Sequence, residues 1–391
     1  MRRVLCLVVL ALAACRGEAP QDVASLEQTE LEALVDSLMP AVAKATGLEF
    51  TATPRSVVRT RDEVRSFLLA KLEQELPPQR LEGIVTSYRL LGLIPDTLDI
   101  AKLFVDLYTE QVAGFYDPDS TTLYAVAGTD PTQLRLILAH ELVHALQHQY
   151  LPLDSILKDT RSADRLAATQ AVLEGQATLA SFGALFPDRD FIGDEALWEQ
   201  IREQLTTPRQ GMEVFNRTPL ALRASLIFPY LEGSEFVRWF RRTRASEQPF
   251  GPLMPTSTEQ ILYPDRFQRG DAPVPVAFAP GDTAGVLHED TFGEFEIAVL
   301  RAVLAGIEQV VTDLPLGWAG DRLRVRTTPN GPALEWLTAW DEPRNAERFQ
   351  SQIATKLVAR AAQRPGYMAS AVDTMISGKA GVRVLIRPKA E

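Results

Sequence analysis

The run Leu138-Ala-His-Glu-Leu-Val-His-Ala-Leu146 holds His140, Glu141 and His144 within five residues. On a helix, positions i and i+4 share a face, so both imidazoles reach one metal ion and the carboxylate between them lies beside the coordination position left open. Those groups together suit metal-assisted hydrolysis of an amide. Only four histidines occur in 391 residues, and chance assembly of this pattern is expected in well under about one per cent of such chains.

Two imidazoles do not complete a site, and a third ligand must come from elsewhere. His148 is one more i+4 step along, but eight helical residues span about 12 Å while zinc–nitrogen bonds are about 2.0 Å. One ion therefore cannot take His140, His144 and His148 together, and His148 is assigned to the surface or to support behind a ligand. The third and sixth positions after His144 hold Gln147 and Tyr150; the glycine and histidine of the metzincin pattern are missing. Between Ala145 and Leu173 there are three aspartates and no glutamate, and the first glutamate is Glu174. It falls in a predicted helix over Ser162 to Leu185 whose face is otherwise weakly polar. A carboxylate there is costly unless paired or metal-bound, which makes Glu174 the expected third ligand, with a salt-bridged core glutamate as the alternative.

The elements that must position these groups follow from periodicity and punctuation. Asp130 followed by Pro131 is a helix start, an N-cap and then proline at the first helical position, and the helix is expected to reach Gln149 or Tyr150. Before it, Val112 to Tyr116 and Thr122 to Val126 read as a β-hairpin around Asp117-Pro-Asp-Ser120. A free hairpin edge beside a metal helix can pair with an extended peptide, so Gly114 to Asp117 or Leu123 to Val126 are candidate substrate strands; an ordinary hairpin is the alternative. Further upstream, helices are expected from Ser25 to Met39 with Pro40 closing the segment, from Arg61 to Leu76, from Leu81 to Leu91 and from Thr97 to Tyr108. Downstream, Phe292 to Val311 and Ala346 to Ala362 read as helices. Arg322 to Thr327, Ala333 to Trp340 and Val382 to Ile386 read as strands, and Gly317 to Arg322 as the turn before the first, with Asp321 and Arg322 pairing to fix a loop. The fold class expected is α+β, mostly helical, divided as a helical region over 23–110, a catalytic core over 111–245 and a C-terminal α+β lobe over 246–391.

The amino terminus bears on location. Arg2 and Arg3, the short apolar stretch Val4 to Leu12 and Leu12-Ala-Ala-Cys15 match a bacterial lipoprotein signal over 1–14, with lipid on Cys15 and a polar tether over 15–22. The apolar stretch is too short to span a membrane. Removal of 1–14 also removes Cys6, which leaves Cys15 without an intramolecular disulfide partner. It takes Arg2 and Arg3 from the 40 basic residues, leaves all 51 acidic ones, and so moves the formal charge from −11 to −13. That balance argues against nucleic acid as a partner and against adsorption on anionic headgroups.

His140-Glu-Leu-Val-His144, followed by Glu174-Gly-Gln-Ala177, resembles the gluzincin branch of zinc metallopeptidases. More narrowly, the chain is similar to bacterial extracytoplasmic proteins of the neutral zinc metallopeptidase-like family. The supporting stretches are Ala113-Gly-Phe-Tyr-Asp-Pro118, Leu173-Glu-Gly-Gln-Ala-Thr178, Thr258-Glu-Gln-Ile-Leu262 with Pro264, and Gly317-Trp-Ala-Gly-Asp-Arg322. Two positions depart from that pattern, His148 where an acidic residue is expected and Tyr263 where histidine is frequent. The resemblance implies a zincin-like fold and one zinc ion on His140, His144 and Glu174, with Glu141 as general base toward a peptide or protein substrate. A donor for the tetrahedral oxyanion is also needed; Tyr230 is the first candidate, then Tyr263 and His288. The competing classes are a binding or chaperone-like lipoprotein that keeps the zinc fold without turnover, and a zinc amidase acting on a cell-wall amide.

Overall fold

The computed structural model describes residues 26–75, 77–159, 161–207, 211–312 and 315–389. The predicted signal, Cys15 and the tether lie outside the described residues. The architecture is α+β, with two separate sheets among many helices. No described helix is long and apolar enough to cross a membrane.

The first helix, α1 (Gln28–Thr46), buries Leu31, Val35, Leu38 and Val42 along one face. Contrary to expectation it passes through Pro40 and stops at Gly47, which takes the left-handed conformation (φ 71°) and returns its N–H to Ala43. Pro40 and Asp36, whose carbonyl loses its helical partner, are both exposed, so the carbonyl stays open to solvent and the lost hydrogen bond costs little. Then follow β1 (Arg55–Arg59), α2 (Arg61–Glu75), α3 (Pro78–Leu90) and α4 (Ile100–Gln111). The expected hairpin forms as β2 (Gly114–Asp117) and β3 (Thr122–Val126), and β1 adds in parallel on the far side of β3, giving the order β1-β3-β2. With only Val57 and Val58 apolar between charged ends, β1 carries no alternation to announce it.

Against this sheet lies α5 (Pro131–Tyr150), capped by Asp130, whose carboxylate accepts the N–H groups of Thr132 and Gln133. Residues 137–147 of α5 are buried on every side, because the sheet, α1 and α7 surround it. After the short α6 (Leu153–Ile156), α7 (Ala163–Leu185) starts at Ser162, whose side chain caps Arg165 N–H. Next come α8 (Glu195–Thr206), α9 (Glu213–Arg217) and α10 (Leu220–Thr243). The helices α7 and α10 meet backbone to backbone. A Cβ on Gly175 would sit 2.2 Å from the Gly233 carbonyl carbon, and one on Gly233 would sit 2.0 Å from the Ala171 oxygen. Only glycine allows this approach.

The C-terminal part holds α11 (Thr258–Leu262), α12 (Pro264–Gln268), β4 (Val286–Asp290), α13 (Gly293–Ala305), β5 (Trp318–Thr328), β6 (Gly331–Trp340), α14 (Pro343–Phe349), α15 (Thr355–Ala362), β7 (Tyr367–Ile376) and β8 (Lys379–Pro388). Its strands form an antiparallel sheet in the order β4-β5-β6-β8-β7. The stretch expected as a turn at Gly317 to Arg322 turns only at Gly317 (φ 79°) and is strand from Trp318 onward. Successive residues of a strand face opposite ways, so Asp321 and Arg322 do not pair. Arg322 binds Glu289, while Asp321 is buried and accepts the N–H groups of Phe292, Gly293, Trp318 Nε1 and Trp336 Nε1. Asp321 thus caps α13 and ties two strands to it.

Candidate metal centre

The faces of α5 and α7 bring His140, His144 and Glu174 together, all three buried. His140 Nε2 lies 3.0 Å from Glu174 Oε2 and 3.1 Å from His144 Nε2, and His144 Nε2 lies 3.3 Å from the same Glu174 oxygen. Each imidazole nitrogen carries either a proton or a lone pair, never both. No placement of protons therefore gives every edge of this triangle its own hydrogen bond. A cation facing three lone pairs does satisfy it, and four-coordinate zinc with bonds of about 2.0–2.1 Å separates its ligands by about 3.3 Å. The donor set fits a metal ion.

Gln147 orients His144. His144 Nδ1 lies 2.9 Å from Gln147 Oε1, and the Gln147 amide nitrogen donates to Leu173 O at 3.0 Å and to Gln176 Oε1 at 3.0 Å. Because a carbonyl can only accept, Leu173 O sets which end of Gln147 is nitrogen, and its oxygen must then receive a proton from His144 Nδ1. That leaves the Nε2 lone pair directed at the cluster. The amide chain continues from Gln176 to Gln248 at 2.8 Å and from Gln248 to Thr46 O at 3.0 Å, which ends on α1. Sequence reasoning passed over Gln147, although its i+3 spacing from His144 places it on the same face.

Glu141 is fully buried beside the triangle. Its Oε2 accepts the Tyr116 N–H at 2.7 Å, and its Oε1 has no described hydrogen-bond partner. Burial pushes its pKa up to about 8, against the His144 charge. Glu174 behaves oppositely: burial favours its neutral form, but the charge on His144 and contacts to both imidazoles bring it down to about 2. Burial also opposes charge on His144, yet the Glu174 carboxylate, Glu141 and Gln147 hold its pKa up at about 9. For His140 burial wins and lowers it.

His148 is not a ligand. Its Nδ1 is bonded to the Tyr116 hydroxyl at 2.8 Å, so it braces the strand that positions Glu141. Tyr230, on α10, lies with its ring 6.1 Å from that of His140. Tyr263 and His288 sit elsewhere: burial and the charges of Glu294 and Glu259 surround Tyr263, and His288 is a β4 residue beside Asp290 and Gly83. The candidate substrate strands fare unequally. β3 is paired on both sides, so Leu123 to Val126 offers no free edge. β2 is the outer strand, but all four of its residues are buried and its Tyr116 N–H is taken by Glu141.

A family model for a domain of unknown function, DUF8575, matches residues 283–386. That is the part of the chain holding the second sheet, outside the metal centre. The chain is also similar to a crystal structure from Chloroflexus aurantiacus, described provisionally as a hydrolase with a novel fold. The two share 20% identity and a TM-score of 0.42 over 65% of this chain and 93% of that one. Likeness at that level bears on neither fold nor chemistry. No curated protein matches.

Proposed function

We propose that the chain is a zinc-dependent peptidase of gluzincin type. His140, His144 and Glu174 hold the metal, Glu141 is the general base, and the protein is anchored outside the cytoplasm by lipid on Cys15. The observation that carries the reading is the open Glu141 oxygen beside the three converging donors. Zinc held by such a set supplies a Lewis acid and activates water toward a carbonyl. Glu141 takes the proton at Oε1 and passes it to the leaving amine, while the Tyr116 N–H and His148 keep the carboxylate aimed. Gln147 holds His144 in the tautomer a ligand needs. Tyr230 is the proposed donor that steadies negative charge on the attacked carbonyl, a role supported by its ring lying 6.1 Å from that of His140.

One observation favours a second reading. All donors are at most 6% exposed and Glu141 is 0% exposed, as suits a metal that braces a core in a binding or scaffold protein. The experiment that separates the two is elemental analysis of the chain, purified without chelator or histidine tag, followed by digestion of an unfolded protein substrate and, in parallel, of purified peptidoglycan. About one zinc per chain and proteolysis abolished in Glu141→Gln support the peptidase. Stoichiometric zinc with no digestion by either form supports the scaffold; release of peptidoglycan fragments instead of peptides points to an amidase. No zinc after add-back overturns the metal reading altogether.

A further inference from the structure

A groove of about 430 Å³ runs between α1, α7, α10 and the segment after α7, away from the face that holds Glu174. Its floor is Ala41, Ala45, Leu179, Ala180, Gly183 and Phe191, so mostly small side chains leave the trough undivided. Its rim carries Lys44, Arg189 and Arg241.

None of these three cations is paired with a carboxylate among the described residues, although the chain is acidic overall at −11 and many of its other cations are paired. Arg241 donates to Thr46 O at 2.5 Å, and burial alone accounts for its lowered pKa. The one acid of the lining, Asp190, turns its Oδ1 to the N–H groups of Ile192 and Gly193 at 3.1 and 2.8 Å. A half-buried arginine with no counter-ion, two more cations beside it and an apolar trough below make a site complementary to an anion with an unbranched tail.

We propose that this groove binds a free long-chain carboxylate, its acyl chain along the Ala41–Gly183 floor and its head among Lys44, Arg189 and Arg241. The trough lies between helices α1, α7 and α10 and holds about 430 Å³, room for one acyl chain, which favours a single free amphiphile over a bilayer surface.

The test uses the full chain and cis-parinaric acid, a fatty acid whose fluorescence rises on binding, with laurate as competitor. Saturable binding at one site per chain is expected. The exposed-surface double variant Lys44→Glu/Arg189→Glu should weaken it at least tenfold. Gly183→Phe should abolish it by filling the trough. Gly183 is helical, and the nearest atom to a Cβ there is Ala45 Cβ at 3.7 Å, so this change leaves the backbone unstrained. The methyl ester of laurate should compete at least tenfold more weakly than the acid. Absence of saturable binding, equal binding by both variants, or equal competition by acid and ester overturns the proposal. Sedimentation with phosphatidylglycerol vesicles without binding of the free acid overturns it in favour of a membrane contact.

Discussion

Two buried groups of carboxylates sit in this molecule under similar dryness and opposite company. Asp321 receives four N–H groups, from Phe292, Gly293, Trp318 and Trp336, and ties helix to sheet. Among the described residues Glu174 receives only imidazole nitrogens, and Glu141 keeps an oxygen with no described partner. A carboxylate surrounded by neutral donors is finished as architecture; one that meets lone-pair donors and an open oxygen is finished only by an ion or a proton. A third arrangement completes the contrast. Burial raises the cost of ionising both Glu259 and Glu294, and the charge of Glu294 adds to it at Glu259, so the pKa of Glu259 climbs to about 9 and that of Glu294 to about 7.

The contrast breaks most sharply at the ligands. His140→Ala or Glu174→Ala should lose all bound zinc by elemental analysis. Zinc at 1,000 times the parent's dissociation constant, which stabilises the parent by about 4 kcal/mol, should leave their melting unchanged. Retention of stoichiometric zinc by Glu174→Ala would remove Glu174 from the site. Next, Glu141→Gln should keep zinc and lower hydrolysis about 10²–10⁴-fold, read from initial rates. Asp321→Asn, by contrast, should cost about 2–3 kcal/mol in denaturant unfolding and leave zinc stoichiometry at one, since it removes an acceptor and no ligand. Zinc lost at full stability in that variant would erase the distinction drawn here. Gln147→Leu should weaken zinc about 10–100-fold in a competitive chelator titration with folding retained. The smallest effect concerns pH. Glu259 and Glu294 bind protons more tightly folded than unfolded, so their contribution is complete below about 4.5 and is lost as pH rises through about 7 and then about 9. Thermal melting should therefore fall over that range, and Glu259→Gln should flatten the fall.

How much of this could be read in advance varied with the kind of signal. The metal helix was written twice, in the Asp130-Pro131 start and in the i, i+4 histidines, and its observed span agrees with the expected one. Glu174 was reachable because a lone carboxylate on an apolar helical face needs a reason. Pro40 misled, since proline at an exposed position of a long helix does not stop it while glycine at Gly47 does. The strands β1, β4 and β7 were missed because an edge strand owes its place to its partner more than to its own alternation. Asp321 was seen as half of a loop-fixing pair with Arg322 because nothing local reveals that two tryptophans and a helix start will converge on it.

The crossing of α7 and α10 is made by backbone at Gly175 and Gly233, and backbone has no rotamers to exchange. The helix bearing Glu174 is therefore held by contacts that involve no ion, and capture of a metal by the cluster is expected to need no folding step. Entry and escape are another matter, because the donors are sealed from solvent. The expected consequence is kinetic: exchange of bound zinc with an isotope should be slow in both directions, timed by the parting of covering side chains and not by the strength of the bonds.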